Sequence, residues 1–254
     1  VIPFRVKDTR DITTALRTPQ EVAPESFDVK MLRWVQVSPK GDQVVYQALG
    51  HLYVRDLPEG TPTRLTSQTD HFEFYPSYSR SGEHIVYSTW DDESLGSVRV
   101  VSSRPGGNQE NWIVTQSPGH FVDPVFTPDG KQIVFRAVGG GRIRSPLWSR
   151  NPGLYRAPVA GGKATRILKS AQGVHFGSSS DRLFFQRNQG GKDADNLKLM
   201  SCDLDGEEER EHFKSSWGTS YKVSPDGKWV ALIERFNVYL FPFTQSGKVI
   251  DVGA

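Results

Sequence analysis

Residues 126–135 read Phe-Thr-Pro-Asp-Gly-Lys-Gln-Ile-Val-Phe. The Pro-Asp-Gly segment is typical of a tight turn, because proline fixes φ at the first turn position and glycine accepts the positive φ that a chain reversal often requires. The apolar and β-branched residues that follow indicate a strand. We therefore predict a β-hairpin at this point of the chain.

Four other segments repeat this hairpin, one of them in a degenerate form. The turn position is occupied, in chain order, by Gly41, Gly82, Gly130, Ser180 and Gly227. Successive turns are 41, 48, 50 and 47 residues apart. A strand-rich repeat of about 40–50 residues is typical of the blades of a β-propeller, each of which is a four-stranded sheet.

Each repeat also contains two further strand-like runs, the last of them at residues 248–252, whereas helical periodicity is almost absent. The predicted fold class is all-β: a β-propeller of four-stranded blades with five repeats, in an incomplete ring or a ring closed with five to six blades. Residues 1–30 are expected to form an extended lead-in segment with an edge strand near residues 11–16. The propeller is expected at 31–254, with blades at 31–70, 71–119, 120–172, 173–216 and 217–254.

Large aromatic side chains recur near the second strand of each hairpin. They are Tyr46, Tyr87, Phe135, Phe185 and Trp229. Because adjacent blades of a propeller bury apolar faces against each other, we expect these residues to fill the core between blades.

Composition excludes several classes of function. The 254 residues carry a formal net charge of +2 with both signs interspersed, so the basic patch of a nucleic-acid-binding protein is not expected. No apolar run approaches the roughly 18 residues of a membrane helix, so we expect a soluble chain with no membrane insertion. The only cysteine, Cys202, cannot form an internal disulfide.

Longer segments of the chain are more specific than the hairpin. They are residues 50–66 (GHLYVRDLPEGTPTRLT), 90–93 (WDDE), 146–155 (PLWSRNPGLY) and 234–239 (ERFNVY). The hairpin resembles those of the propellers of TolB, the tricorn protease and the prolyl-oligopeptidase-type peptidases. The longer segments are similar to the amino-terminal propeller of large bacterial amidohydrolases, in which a TolB-like propeller precedes a metal-dependent hydrolase barrel. The resemblance covers roughly residues 31–254.

The amidohydrolase resemblance implies that catalysis belongs elsewhere. In that family the metal ligands lie in the barrel and include a His-x-His motif, which this sequence lacks. We therefore expect no catalytic residue, metal or other cofactor in this segment, with any divalent metal in a missing domain. The segment begins with Val1 and ends just after a strand-like run, so we expect a piece of a longer protein. The resemblance also implies a periplasmic or secreted protein.

Three functions remain open at this point. The first is a non-catalytic scaffold or substrate-access module of a larger amidohydrolase-like enzyme, whose partner is the missing carboxy-terminal catalytic domain. The second is a TolB-like propeller that binds a partner protein, and the third is a gating propeller of a serine peptidase. Self-association through exposed blade faces is a further expectation if the ring is incomplete.

Two groups of residues are candidates for binding. His71 and His120 precede their hairpins at similar positions, so both are candidates for a ligand site in the central channel, although zinc would need a third ligand. His175 does not align with them. A long glycine-rich loop carries candidates for contact with a protein or an anion, because arginine and tryptophan are enriched at binding hot spots. These loop residues are Arg142, Arg144, Trp148 and Arg150.

Overall fold

The computed structural model describes residues 3–19, 21–106, 110–139, 151–188, 197–243 and 249–252. The chain divides into two compact units, Val1–Lys30 and Met31–Ala254. None of the described residues of the first unit lies in a helix or strand, so the edge strand expected near residues 11–16 is wrong. Ile12 and Leu16 are fully exposed, and without a buried apolar face or a partner strand an extended segment has nothing to hold it in a sheet.

The second unit is an all-β propeller with five blades, and its described residues contain no helix. The strands of the first blade are β1 (Arg33–Val37), β2 (Gln43–Ala48), β3 (His51–Asp56) and β4 (Thr63–Arg64). Those of the second are β5 (Phe72–Tyr78), β6 (His84–Trp90), β7 (Val98–Ser102) and β8 (Asn111–Ile113). Those of the third are β9 (Phe121–Phe126), β10 (Gln132–Ala137), β11 (Gly153–Pro158) and β12 (Thr165–Leu168).

The last two blades depart from four strands. The fourth blade contains β13 (Gln172–Phe176), β14 (Leu183–Asn188), β15 (Leu197–Cys202) and β16 (Arg210–Ser215). The fifth contains β17 (Gly218–Val223), β18 (Trp229–Glu234) and β19 (Asn237–Pro242). The last strand, β20 (Ile250–Val252), pairs in parallel with β16 and so belongs to the fourth sheet.

The placement of β20 corrects the expectation that residues 248–252 close the fifth blade. Ile250 and Val252 pack against the apolar cluster that contains Phe213 of the fourth blade. The ammonium of Lys214 also forms an ion pair with the carboxylate of Asp251 at 2.9 Å. Both contacts favour the edge of the fourth blade over the edge of the fifth.

The repeated hairpin turn is encoded by a hydroxyl and a glycine. The Thr127 backbone N–H donates to the Gln132 carbonyl at 2.9 Å, and the Gln132 N–H donates back to the Thr127 hydroxyl at 3.0 Å. Gly130 has φ +69°, a conformation that other residues rarely adopt. The same backbone and hydroxyl bonds recur at Ser38, Ser79 and Ser224, which explains the conserved form of the repeat within this chain.

The core lies between the blades, and the position after each turn decides which neighbour a side chain meets. Residues three and five positions after the turn glycine pack on the preceding blade, as Ile133 and Phe135 pack with Val86. The residue four positions after it packs on the following blade, as Val134 packs with Leu183 and Phe185. The aromatic core predicted from sequence is therefore largely correct.

Trp229 is the exception. Its side chain is 47% exposed, because it lies two positions after Gly227 and so points away from the fourth blade. The residue that occupies the core position is Leu232, which is fully buried against Phe184 and its neighbours. The interblade position, and not the aromatic character, determines burial.

The two terminal blades keep an apolar face exposed. On the fifth blade, Ile233, Val238 and Leu240 are 41%, 66% and 68% exposed, and cross-strand pairing places them on one face. In the first four blades the corresponding face packs on the next blade. On the first blade, the face that would meet a preceding blade carries Val37, which is 55% exposed.

Candidate ligand site in the axial channel

An axial cavity of about 700 Å³ lies between the innermost strands of all five blades. Its walls come from β1, β5, β9, β13 and β17, the first strand of each sheet. The volume falls within the range of small-molecule sites in proteins. Each blade therefore contributes side chains to one shared space.

A recurring β-bulge selects which side chains reach this cavity. Trp34, Tyr75, Asp123 and Gly173 lie seven residues before their respective turn positions, all line the cavity, and all have positive φ, between 49° and 60°. The strand pairing shifts register at each of these positions. A bulge redirects a side chain out of the regular alternation, and here it brings the bulged residues to the axis.

The bulge costs backbone strain at the non-glycine positions. Left-handed φ is uncommon for any residue with a Cβ and unusual for aromatic residues such as Trp34 and Tyr75. Such strain is concentrated at functional sites, where the surrounding structure maintains it. The three strained residues therefore mark the cavity as the candidate functional site of the described part of the chain.

Asp123 and Arg136 form the main ion pair at the cavity wall. Two nitrogens of the Arg136 guanidinium, Nε and Nη2, donate to Oδ2 of Asp123 at 3.0 and 2.7 Å. A third donor, Nη1, reaches the carbonyl of Ala171 at 3.4 Å. The guanidinium thus neutralises the acid of the cavity and ties β9 and β10 to the start of the fourth blade.

Lys222 lines the cavity with no such partner. Among the described residues its ammonium has neither an ion pair nor a hydrogen bond, and the residue is exposed to the cavity. Desolvation of the ammonium by the surrounding protein lowers the pKa of Lys222 from its ordinary value. The nearby carboxylate of Asp123 partly opposes this effect. Lys222 is therefore the cation of the cavity that no acid of the described chain contacts.

His175 clamps the fourth blade to the fifth. Its Nδ1 donates to the Gly173 carbonyl at 2.7 Å, and its Nε2 accepts from the Val223 backbone N–H at 2.9 Å. Burial, followed by the charge of Lys222, lowers the pKa of His175 to about 3. The ring is therefore neutral, both nitrogens are used, and His175 serves as a structural bridge.

Arg80 crosses the turn end of the channel. Its guanidinium donates to the carbonyls of Gly177 and Pro225 at 2.6 and 2.9 Å, so the second blade reaches the fourth and fifth. In three other hairpins the same position is a proline, as at Pro128, which cannot make this contact. The departure from the repeat therefore supplies a strap over the cavity.

The histidines predicted from sequence lie outside the residues that line this cavity. His71 is buried, with Nδ1 3.2 Å from Asp70 Oδ1 and with no hydrogen-bond partner for Nε2 in the described structure. His120 packs against Trp90, with ring centroids 5.4 Å apart, and burial lowers its pKa. The two rings contact different partners, and a role for them in ligand binding stays a prediction.

The remaining sequence candidates are not placed. Arg142, Arg144, Trp148 and Arg150 lie outside the described residues. Within the described ranges there is no group of three His, Cys, Asp or Glu residues that could hold a metal ion, and no helix that is long and apolar enough to cross a membrane.

A larger groove of about 1100 Å³ lies between the turn ends of the first two blades. Its walls include turn residues whose polar groups bond within the turns, as the Ser38 hydroxyl does when it donates to Asp42 at 2.7 Å. We prefer the axial cavity as the candidate site because strained residues from several blades converge there.

Comparison with solved structures supports the fold. A putative TolB from Agrobacterium tumefaciens superposes with a TM-score of 0.65 at 15% identity, over 84% of this chain and 77% of that one. TolB from Acinetobacter baumannii gives 0.58 at 18%, over 83% and 51%. The tricorn protease gives 0.59 at 13%, over 83% of this chain and 25% of that one. The fold is therefore TolB-like, as the sequence predicted.

Comparisons of sequence add nothing to this. No family model matches the chain, and no curated protein matches it.

Proposed function

We propose that this chain is a non-catalytic β-propeller module, a scaffold or substrate-access unit of a larger amidohydrolase-like, metal-dependent hydrolase. In this proposal the catalytic metal belongs to a separate carboxy-terminal domain, and the protein functions in the periplasm or outside the cell. The fold alone does not select this function, since similar propellers occur both in a putative TolB and in the tricorn protease.

The observation that carries the proposal is the exposed apolar face of the fifth blade. Ile233, Val238 and Leu240 lie on the face that each of the first four blades packs against the next blade. Full burial of one such side chain contributes about 1.5–3 kcal/mol, so exposure of three is costly. A scaffold that continues into further structure would bury this face.

The similarity to the tricorn protease is compatible with a modular role. This chain matches only 25% of that much longer protein. A propeller of this size can therefore be one part of a larger chain, which is the arrangement that we propose here.

A second function, binding of a partner by a TolB-like propeller, is favoured by the axial cavity. Trp34, Tyr75 and Asp123 hold strained conformations around a space of about 700 Å³. Strain of this kind is a reason to assign binding to the module itself, whichever larger protein contains it.

Kinetics test the proposed function. We expect the present chain to hydrolyse none of a panel of amide, lactam and ester substrates, with or without added Zn²⁺. We expect the chain extended by the downstream part of its gene to hydrolyse amides or lactams in a metal-dependent manner. His71→Ala and His120→Ala in the extended protein should leave the turnover number within about twofold. Turnover by the present chain that either substitution abolishes would refute the proposal.

A further inference from the structure

The charges around the axial cavity do not balance. The charged residues that line it are Arg80, Asp123 and Lys222. Arg136 already neutralises Asp123, and the guanidinium of Arg80 contacts only neutral carbonyls. Arg80 and Lys222 therefore face the cavity without an ion pair to a described acid, and the lining keeps a net positive charge that attracts an anion.

Hydrogen-bond donors in the cavity also lack acceptors. The hydroxyl of Tyr75 has no hydrogen-bond partner among the described residues, and neither has the ammonium of Lys222. Burial raises the pKa of Tyr75, so its hydroxyl keeps its proton at neutral pH. A carboxylate accepts hydrogen bonds from both kinds of donor, and charge-assisted bonds of this type are about twice as strong as neutral ones.

The cavity offers an apolar wall beside these donors. The rings of Trp34 and Tyr75 lie with their centroids 4.4 Å apart, and both line the cavity. Their bulged backbone brings both side chains to the axial cavity. A ligand that carries a flat or apolar group next to its carboxylate would therefore use the wall and the donors together.

We propose that the axial cavity binds a small ligand whose carboxylate is held by Lys222 and Tyr75 and whose ring packs against the wall formed by Trp34 and Tyr75. The guanidinium of Arg80 supplies a second positive charge at the turn end of the channel. This site binds a ligand, whereas the proposed function assigns catalysis to a separate domain. The same chemistry is offered by a free aromatic acid and by the carboxyl terminus of a peptide.

Calorimetric titration of the whole chain tests the site with matched probes. N-acetyl-L-phenylalanine should bind about tenfold more tightly than its neutral amide, which has the same ring and lacks the charge. Lys222→Met should remove this preference, and Tyr75→Phe should weaken binding of the acid severalfold while it leaves the apolar wall in place. Lys228→Met, in the exposed hairpin turn, is the matched control and should change neither affinity. Benzoate serves as the second acid, and its affinity relative to N-acetyl-L-phenylalanine distinguishes a free aromatic acid from a peptide terminus.

The proposal has a clear contrary result. If acid and amide bind equally, if neither acid binds at millimolar concentration, or if Lys222→Met binds the acid as the wild type does, the site is not a carboxylate site. Circular dichroism and thermal unfolding of each variant show whether the fold is retained. Should Lys222→Met fail to fold, Tyr75→Phe alone decides the outcome, because it removes a single oxygen. Failure here leaves the kinetic test of the proposed function unaffected, since that test does not involve the cavity.

Discussion

The bridge made by His175 predicts how the propeller responds to acid. The ring is buried and neutral in the folded chain, where its pKa is about 3, against an ordinary value of 6.5. In the unfolded chain the ring takes up a proton as the pH falls below 6.5. The unfolded state therefore binds more protons than the folded state between about pH 6.5 and 3, and stability must fall as the pH falls through this window.

The magnitude follows from the width of the window. One proton contributes about 1.4 kcal/mol per pH unit where only the unfolded state binds it. Across the interval from 6.5 to about 3, His175 alone accounts for a loss of about 5 kcal/mol, a large part of the 5–15 kcal/mol that stabilises a typical domain. Above pH 6.5 the contribution of the neutral ring is fully present.

Two substitutions separate titration from hydrogen bonding. His175→Gln offers an amide N–H and a carbonyl to Gly173 and Val223 but cannot titrate, so it should flatten the decline in stability between pH 6 and 4. His175→Phe also cannot titrate, but it leaves the Val223 N–H unpaired, so it should in addition cost about 1–3 kcal/mol at pH 7. The loss at pH 7 should be clearly smaller for His175→Gln.

Urea unfolding at pH 7, 6, 5 and 4, followed by tryptophan fluorescence, measures both effects. The free energy of unfolding of the wild type should fall by more than that of His175→Gln at each step below pH 6. Parallel curves for the two proteins would refute the assignment of a neutral, bridging His175. A change of the urea dependence itself would indicate a departure from two-state unfolding and would have to be resolved first.

Three further predictions concern contacts between blades and the exposed face. Arg80→Ala removes the strap to Gly177 and Pro225. Calorimetry should show a lower thermal midpoint, by about 2–4 °C for each kcal/mol of stability lost. An unchanged midpoint would mean that the strap does not tie the blades. The buried Glu73 carboxylate accepts hydrogen bonds from the Leu52 N–H and the Gln68 amide, both at 2.7 Å. Glu73→Gln should lower the free energy of unfolding in urea by about 1–3 kcal/mol, because the N–H₂ group of the new glutamine is a donor that faces other donors. Leu240→Lys should reduce concentration-dependent self-association in sedimentation velocity with a stability change within about 0.5 kcal/mol; equal association would show that the face of the fifth blade is not involved.

The sequence predicts the blades well because their turns are encoded locally. A hydroxyl at Thr127 and a glycine at Gly130 specify one turn within four residues, and the same pattern marks three of the other four hairpins. The pairing of β20 with β16 could not be found in this way, since a parallel partner lies far away in the sequence and depends on which sheet edge is open.

The cavity was missed for a different reason. A search for chemically reactive residue types selects His71 and His120, whereas the bulge selects residues by position, seven places before each turn. Trp34, Tyr75 and Asp123 have no residue type in common, so only alignment of the repeats on their turns would have found them. The sequence contains this seven-residue spacing, but it does not show the β-bulge that brings these residues to the axis.

Hydrogen exchange in β19 (Asn237–Pro242) tests the central claim most directly, because this strand carries Val238 and Leu240 on the exposed face. The measurement compares the present chain with the chain extended by the downstream part of its gene. If the propeller is a module that continues into further structure, the backbone amides of β19 should exchange at least about tenfold more slowly in the extended protein, while those of the central strand β14 should not change. Equal exchange of β19 in the two proteins would contradict the account.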